Sequence, residues 1–285
     1  MRLFLGPRIE RLIDLAIEED EVGFDVTSAA FFGERRRRAR LVARQDLVMA
    51  GGPVAEAVFS RIDAGVRWAS EADEGANIES GDVIARVEGP ACSLLRAERV
   101  ALNFLQRLCG VATFTRAHVD ALGETTTRVA DTRKTLPGWR ALDKYAVRCG
   151  GAANHRFNLA GGVMIKENHI AAAGSIAEAI GAVKKTAPHT LRIEVEVERL
   201  DQVGEAVEYG ADVIMLDNMD DATMKRAVDE IRGHRRGDEV VIEGSGNMDR
   251  ARLENIADVG LDVVSVGALT HSAPAADISM LLDEG

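Results

Sequence analysis

From about Thr127 onward, short apolar runs of strand length alternate with stretches of helical period, and this alternation constrains the fold more than any other feature. The runs are Arg128–Ala130, Val163–Ile165, Leu191–Val197, Val213–Leu216, Val240–Ile242 and Val263–Val266. Between them, Ile176–Thr186, Leu200–Tyr209, Ala222–Ile231 and Arg250–Val259 repeat apolar residues near i, i+3 and i+4. Such a βα series buries its strands in a parallel sheet with helices packed against it. Nearly every run ends in a charged residue or a glycine: Asp131-Thr132-Arg133-Lys134, Lys166, Glu196 with Glu198, Asp217, Glu243-Gly244-Ser245-Gly246 and Gly267. In a (β/α) barrel the active site is built from the C-terminal strand ends and the loops that follow them. An α/β fold with a (β/α) barrel-like C-terminal domain is therefore expected, incomplete at about seven strands against the usual eight.

The first hundred residues read differently. Arg8–Glu19 has the pattern of an amphipathic helix, Arg40–Val48 alternates weakly, and turn residues fall at Gly51-Gly52-Pro53, Gly75, Gly81-Asp82 and Gly89-Pro90. This predicts a mixed α/β open sandwich, followed by a long helix over Ala97–Cys109. The expected organisation is an N-terminal domain over 1–110, a catalytic barrel over 111–270, and a tail over 271–285 that packs back on the N-terminal domain. The four arginines Arg35–Arg38 read as a solvated turn.

Composition excludes several classes. A net charge of −11 argues against sequence-independent nucleic-acid binding, which depends on cationic neutralisation of phosphates. Cys92, Cys109 and Cys149 are odd in number and widely spaced, so neither a disulfide framework nor a structural zinc site is suggested, and a reducing cytoplasm fits. No run approaches the roughly eighteen apolar residues of a membrane span. Met1 to Asp14 carries Arg2, Arg8, Glu10 and Arg11, which spoils it as a signal core.

Against this acidic background, Arg128 to Arg156 holds seven Lys or Arg residues and only Asp131 and Asp143 as acids. A cationic island on an anionic chain marks an anion site. Arg133, Lys134, His155, Arg156 and Lys166 supply guanidinium forks and point charges suited to carboxylate or phosphate. Glu196 and Asp217, each ending a strand, suit Mg²⁺ that is also held by substrate phosphates; the bland alternative is ion pairing with Lys166 or Lys134. Ser245-Gly246-Asn247 and Gly267 through His271 open helices at the last two strands, where barrel enzymes frequently bind phosphate.

Several strings together resemble the quinolinate phosphoribosyltransferase family, also called nicotinate-nucleotide pyrophosphorylase (carboxylating). They are Ala130 to Thr135 with Pro137-Gly138, Lys144 to Val147, Gly150-Gly151, Asn154 to Arg156, Ile165 to His169, Glu194 to Val197, Leu216 to Asn218 and Val266 to Ser272. Glu18 to Asp20, Asp25, Thr27, Ala97 to Arg99, Leu102-Asn103 and Gly110 to Thr113 extend the likeness over essentially the whole chain. The resemblance implies condensation of quinolinate with phosphoribosyl pyrophosphate, releasing pyrophosphate and CO₂ and giving nicotinate mononucleotide for NAD synthesis. It implies Arg133, Lys134, His155, Arg156 and Lys166 as the quinolinate pocket, and Arg99 reaching into a neighbouring subunit's site, hence a homodimer. It also implies Lys134, Lys166, Glu196 and Asp217 as the catalytic group and Glu196 and Asp217 as Mg²⁺ and ribose ligands. Ser245, Gly246, Asn247, Gly267 and His271 are implied as the phosphate site.

The sequence departs from the family pattern at Asn247 in place of a second glycine, at Gly161-Gly162, at Ala152-Ala153 and at Cys109. Competing readings are a related pyrophosphorylase-like protein associated with molybdenum transport, a nicotinate phosphoribosyltransferase without decarboxylation, and a silent ligand-binding homologue. Asn154 before His155-Arg156 and the Ile165 to His169 segment favour the quinolinate enzyme. The number of cations disfavours a monoacid substrate, and retention of Lys134, Lys166, Glu196 and Asp217 disfavours silence.

Overall fold

The computed structural model describes residues 3–25, 27–28 and 35–283. Along the chain run α1 (Pro7–Glu19), β1 (Arg36–Ala43), β2 (Leu47–Val48), α2 (Gly52–Ile62), β3 (Arg67–Ser70), β4 (Asn77–Ile78), β5 (Val83–Pro90) and α3 (Ala91–Ala121). Then follow β6 (Arg128–Ala130), α4 (Arg140–Cys149), β7 (Val163–Ile165), α5 (Glu167–Ala173), α6 (Ile176–Thr186), β8 (Ile193–Val197) and α7 (Leu200–Tyr209). The chain closes with β9 (Val213–Asp217), α8 (Asp221–Gly233), β10 (Val241–Ser245), α9 (Arg250–Ile256), β11 (Val263–Ser265), α10 (Ala268–His271) and β12 (Ile278–Leu282). Two compact units result: Met1–Arg116 with Thr135–Gly151 and Leu269–Gly285, and Ala117–Lys134 with Ala152–Ala268. None of the described helices is long and apolar enough to cross a membrane.

The first unit is built on an antiparallel sheet of order β12-β1-β5-β3. Its three chain segments are tied together at Arg107, which donates to the buried Asp143 at 3.0 Å and to the carbonyl of Thr270. Glu74 makes a second node: it accepts the N–H groups of Gly51 and Gly52, both at 2.8 Å, at the start of α2, and the Tyr145 hydroxyl at 2.7 Å. A carboxylate there satisfies orphan amides and complements the helix dipole.

Three expectations need correction here. Arg36–Arg38 are not a turn but the first rungs of β1, paired with Glu88, Gly89 and Pro90 of β5, with their long side chains largely in solvent. Gly89-Pro90 accordingly ends a strand; a Cβ on Gly89 would lie 2.7 Å from Cγ2 of Val66, so glycine here permits close packing, not a turn. The helix expected over Ala97–Cys109 runs from Ala91 to Ala121, because no glycine or proline pair interrupts the apolar period, and Gly110 sits inside it.

The second unit is a parallel sheet of order β6-β11-β10-β9-β8-β7, extended beyond β6 by a single parallel bridge from Ala130 to Ala153. Six strands and one bridged residue are thus present, and α5 had no counterpart in the sequence reading. Helices start at side-chain caps: Ser175, Asp220 and Asp249 accept the N–H of Glu178, Thr223 and Arg252 at 3.1, 2.8 and 2.9 Å. Gly210, at φ +92°, ends α7.

Register decides which residues share a face. Met164 pairs with Glu194, Glu196 with Met215, Glu243 with Met215 and Ser245 with Asp217. Paired residues point to the same side, so Lys166, Glu196, Asp217 and Ser245 lie on one face at the strand ends. Along their own strands Met164, Glu194, Met215 and Glu243 each precede one of these residues by two positions, about 7 Å. The opposite face, with Ile193, Val195, Val197, Ile214, Leu216, Ile242 and Val264, is fully apolar and at most 6% exposed. Each strand is therefore half core and half site.

Candidate active site

A cavity of about 400 Å³ opens at the C-terminal ends of the parallel strands, lined by Thr132, Arg133, Lys134, His155, Arg156, Met164, Lys166, Glu196, Met215, Asp217, Ser245 and Ser265. All belong to the second unit. Of the residues expected from sequence, Arg133, Lys134, His155, Arg156, Lys166, Glu196, Asp217 and Ser245 meet here. Gly246 and Asn247 form the turn after Ser245 with φ of +92° and +49°, the left-handed region that glycine and asparagine tolerate. Gly267 follows β11 and does not line the cavity. Arg99, exposed on α3, and His271, at the end of α10, belong to segments of the first unit.

The cations are of two kinds. Lys166 is ion-paired with Glu196, and its backbone N–H donates to Nδ1 of His169 at 3.0 Å. Arg156 is more buried: Nη1 donates to the Gly162 carbonyl at 2.9 Å, Nη2 rests 3.4 Å from the Met164 sulfur, and Nε has no hydrogen-bond partner among the described residues. Burial lowers its proton affinity, the neighbouring Arg133 lowers it further, and Glu194 opposes both. A buried guanidinium N–H with no acceptor, beside a second guanidinium, fits an incoming anionic oxygen.

The segment that carries Arg156 is held from behind. Asp131, fully buried, accepts the Asn154 side-chain amide at 2.7 Å and the His155 backbone N–H at 2.8 Å. The His155 Nδ1 accepts the N–H of Arg156 at 2.7 Å, while Nε2 lies 3.3 Å from Glu194 and 3.6 Å from Glu243. Burial and then the charge of Glu194 push the Glu243 carboxyl up to about 7, with His155 and a Ser265 hydrogen bond pulling partly back.

Sequence reasoning named Asp131, Glu194, Glu243 and Asn218 only within motif strings and gave them no role. The signal for the two glutamates was available, since each sits two residues before a site residue on the same strand. Asn218, at φ +54°, donates to Asp217 at 2.7 Å, and its backbone N–H donates to the Ser245 carbonyl at 3.1 Å. It thereby links the acidic strand end to the Ser245 turn.

Glu196 and Asp217 offer hard carboxylate oxygens at adjacent strand ends, the donor set that suits Mg²⁺ with retained waters. A second concavity of about 490 Å³ includes Lys184, His189, Tyr209 and Arg236. Its cations are already engaged, with Lys184 and Arg236 donating to the carbonyls of Tyr209 and Val207 at the end of α7.

Cations, paired carboxylates and a left-handed Ser-Gly-Asn turn at the C-terminal ends of a parallel α/β sheet define an enzyme site of the barrel class, built for an anionic substrate. The chain belongs to the quinolinate phosphoribosyl transferase family: residues 25–109 match its N-terminal domain and residues 111–281 its C-terminal domain. It is 41% identical over 273 residues to the probable nicotinate-nucleotide pyrophosphorylase [carboxylating] of Bacillus subtilis, covering 96% of this chain and 93% of that one. The nicotinate-nucleotide pyrophosphorylase [carboxylating] of Homo sapiens is 37% identical over 285 residues, covering 99% and 94%. The crystal structure of NadC from Streptococcus pyogenes superposes with a TM-score of 0.93 at 41% identity, covering 99% of each chain.

Proposed function

We propose that this protein transfers the phosphoribosyl group of phosphoribosyl pyrophosphate to quinolinate with decarboxylation, giving nicotinate mononucleotide, pyrophosphate and CO₂ on the route to NAD. The observation that carries this reading is the convergence of Arg133, Lys134, Arg156 and Lys166 with Glu196 and Asp217 in one cavity of a family member. Arg133 and Arg156 bind the two carboxylates of the pyridine ring, since each guanidinium presents a fork to a planar oxyanion. That anchorage directs the ring nitrogen at the anomeric carbon.

The nitrogen–carbon bond forms as the bond from that carbon to the pyrophosphate oxygen breaks, with positive charge developing on the ribose. Glu196 and Asp217 face that charge, and Lys134 and Lys166 face the departing oxyanion. Ser245 and the Gly246-Asn247 turn hold the 5-phosphate through backbone N–H groups, and Gly267 and His271 are assigned to the same phosphate by family likeness. Glu196 and Asp217 would hold Mg²⁺, which would supply charge neutralisation for the pyrophosphate. Once the ring nitrogen is quaternised, the carbon beside it accepts the electron pair left by CO₂ and takes a proton. No covalent nucleophile is needed.

We also infer a homodimer in which Arg99 completes the partner's site, and a cytoplasmic location in keeping with a chain that carries only three, widely spaced cysteines. The test is turnover with quinolinate, phosphoribosyl pyrophosphate and Mg²⁺, scoring nicotinate mononucleotide and CO₂, with nicotinate in parallel. Product from quinolinate alone supports the reading; product from nicotinate alone, or from neither, overturns it.

A further inference from the structure

At the wall of the cavity, in the second unit, the lining residue His155 and the buried Glu194 and Glu243 bring their ligating atoms within 4.8 Å of one another. Glu194 and Glu243 are 6% and 4% exposed. The ring between them is held at both nitrogens: Nδ1 accepts the Arg156 backbone N–H at 2.7 Å, and Nε2 lies 3.3 Å from Glu194 and 3.6 Å from Glu243. The same geometry argues against a metal ion, because a ligating histidine donates its other ring N–H to a neighbour, and here that nitrogen is an acceptor.

We propose that Glu194 and Glu243 are positioning residues for the pyridine dicarboxylate: they hold Nε2 of His155, whose Nδ1 holds the backbone of Arg156, and thereby fix the Arg156 guanidinium beside Arg133. The proposal rests on the functional reading above. Three observations join in it. Glu194 accepts His155 Nε2–H and acts electrostatically on Arg156. His155 Nδ1 holds the amide of Arg156 itself. Glu243 reaches the same Nε2 at 3.6 Å. The two glutamates thus hold the ring from one side while its other nitrogen holds the residue that presents its guanidinium to the cavity.

The test is calorimetric titration of quinolinate into the full-length protein, with KM for phosphoribosyl pyrophosphate and thermal melting measured on the same preparations. Glu194→Leu removes the group that holds His155 Nε2, and is expected to weaken quinolinate binding about tenfold, with KM for phosphoribosyl pyrophosphate changed less than about twofold. Glu243→Leu is expected to weaken it by a similar factor, and Glu194→Gln and Glu243→Gln, which each keep an acceptor oxygen, to recover most of the loss. Equal losses toward both substrates, or no loss in Glu194→Leu, overturn the proposal. So does a stoichiometric divalent metal that survives dialysis of the unaltered protein and is absent from Glu194→Leu. Failure of the unaltered protein to bind quinolinate overturns the functional reading, and this proposal with it.

Discussion

The Gly246 position offers a measurable separation between the two halves of the site. Gly246 has φ +92°, and a Cβ built there would overlap Oδ1 of Asn218 and lie 2.8 Å from both its Cγ and its backbone nitrogen. For Gly246→Ala the left-handed backbone alone costs about 1–2 kcal/mol. Relieving the overlap displaces the Asn218 side chain and gives up its bond to Asp217, at about 1 kcal/mol more. The sum, about 2–3 kcal/mol, corresponds at its upper end to roughly a hundredfold in an equilibrium constant. Because the perturbation touches the Ser245 turn and Asp217 but not Arg133 or Arg156, the loss should fall on phosphoribosyl pyrophosphate. The assay is steady-state turnover with that substrate varied at saturating quinolinate, alongside direct quinolinate titration. A hundredfold rise in its KM with quinolinate affinity preserved is expected; a rise below about threefold refutes the steric argument.

Other outcomes follow from single contacts. Glu243 has its proton affinity raised from 4.5 to about 7 in the fold, so between those values the folded chain keeps a proton that the unfolded chain has lost. Stability therefore falls as pH rises through that window, by up to about 3 kcal/mol. Glu243→Gln should melt above the unaltered protein at pH 8, with the gap closing near pH 5. Chelation of divalent metal should abolish turnover and weaken phosphoribosyl pyrophosphate binding, while calorimetry shows quinolinate binding changed less than about twofold. Arg133→Ala and Arg99→Ala should each be nearly inactive, yet mixing the two should restore about a quarter of the activity if sites are shared across a dimer; no recovery counts against sharing. Burial pushes the Cys109 and Cys149 thiols up to about 12, so iodoacetamide at pH 8 should label Cys92 alone in the folded protein, as peptide mass spectrometry would report.

Local period and chemistry determined a good deal of this protein from sequence alone. The spacing of apolar residues separates strands of two-residue period from helices of 3.6, and the second unit's six strands lie where Arg128, Val163, Leu191, Val213, Val240 and Val263 begin their runs. The charged residues closing those runs had to lie at one end of the sheet, because parallel strands all finish on the same side. Arg133, Lys134, Arg156, Lys166, Glu196, Asp217 and Ser245 were found in that way. The arginines at 36–38 and the Gly89-Pro90 pair were misread, since a polar strand end whose side chains face solvent and a close-packed strand end carry the composition of turns.

Tertiary structure alone decided which of the polar groups are buried and what surrounds them. Glu194 and Glu196 are the same residue type two positions apart, so nothing local distinguishes a cavity ligand from a carboxylate 6% exposed against His155 and Glu243. That difference arises from depth along the strand and from partners on β10 and in the segment after β6, all distant in the chain. Burial and charge are sums over neighbours in space, and the chain's order does not specify those neighbours until the sheet has curved to bring them together.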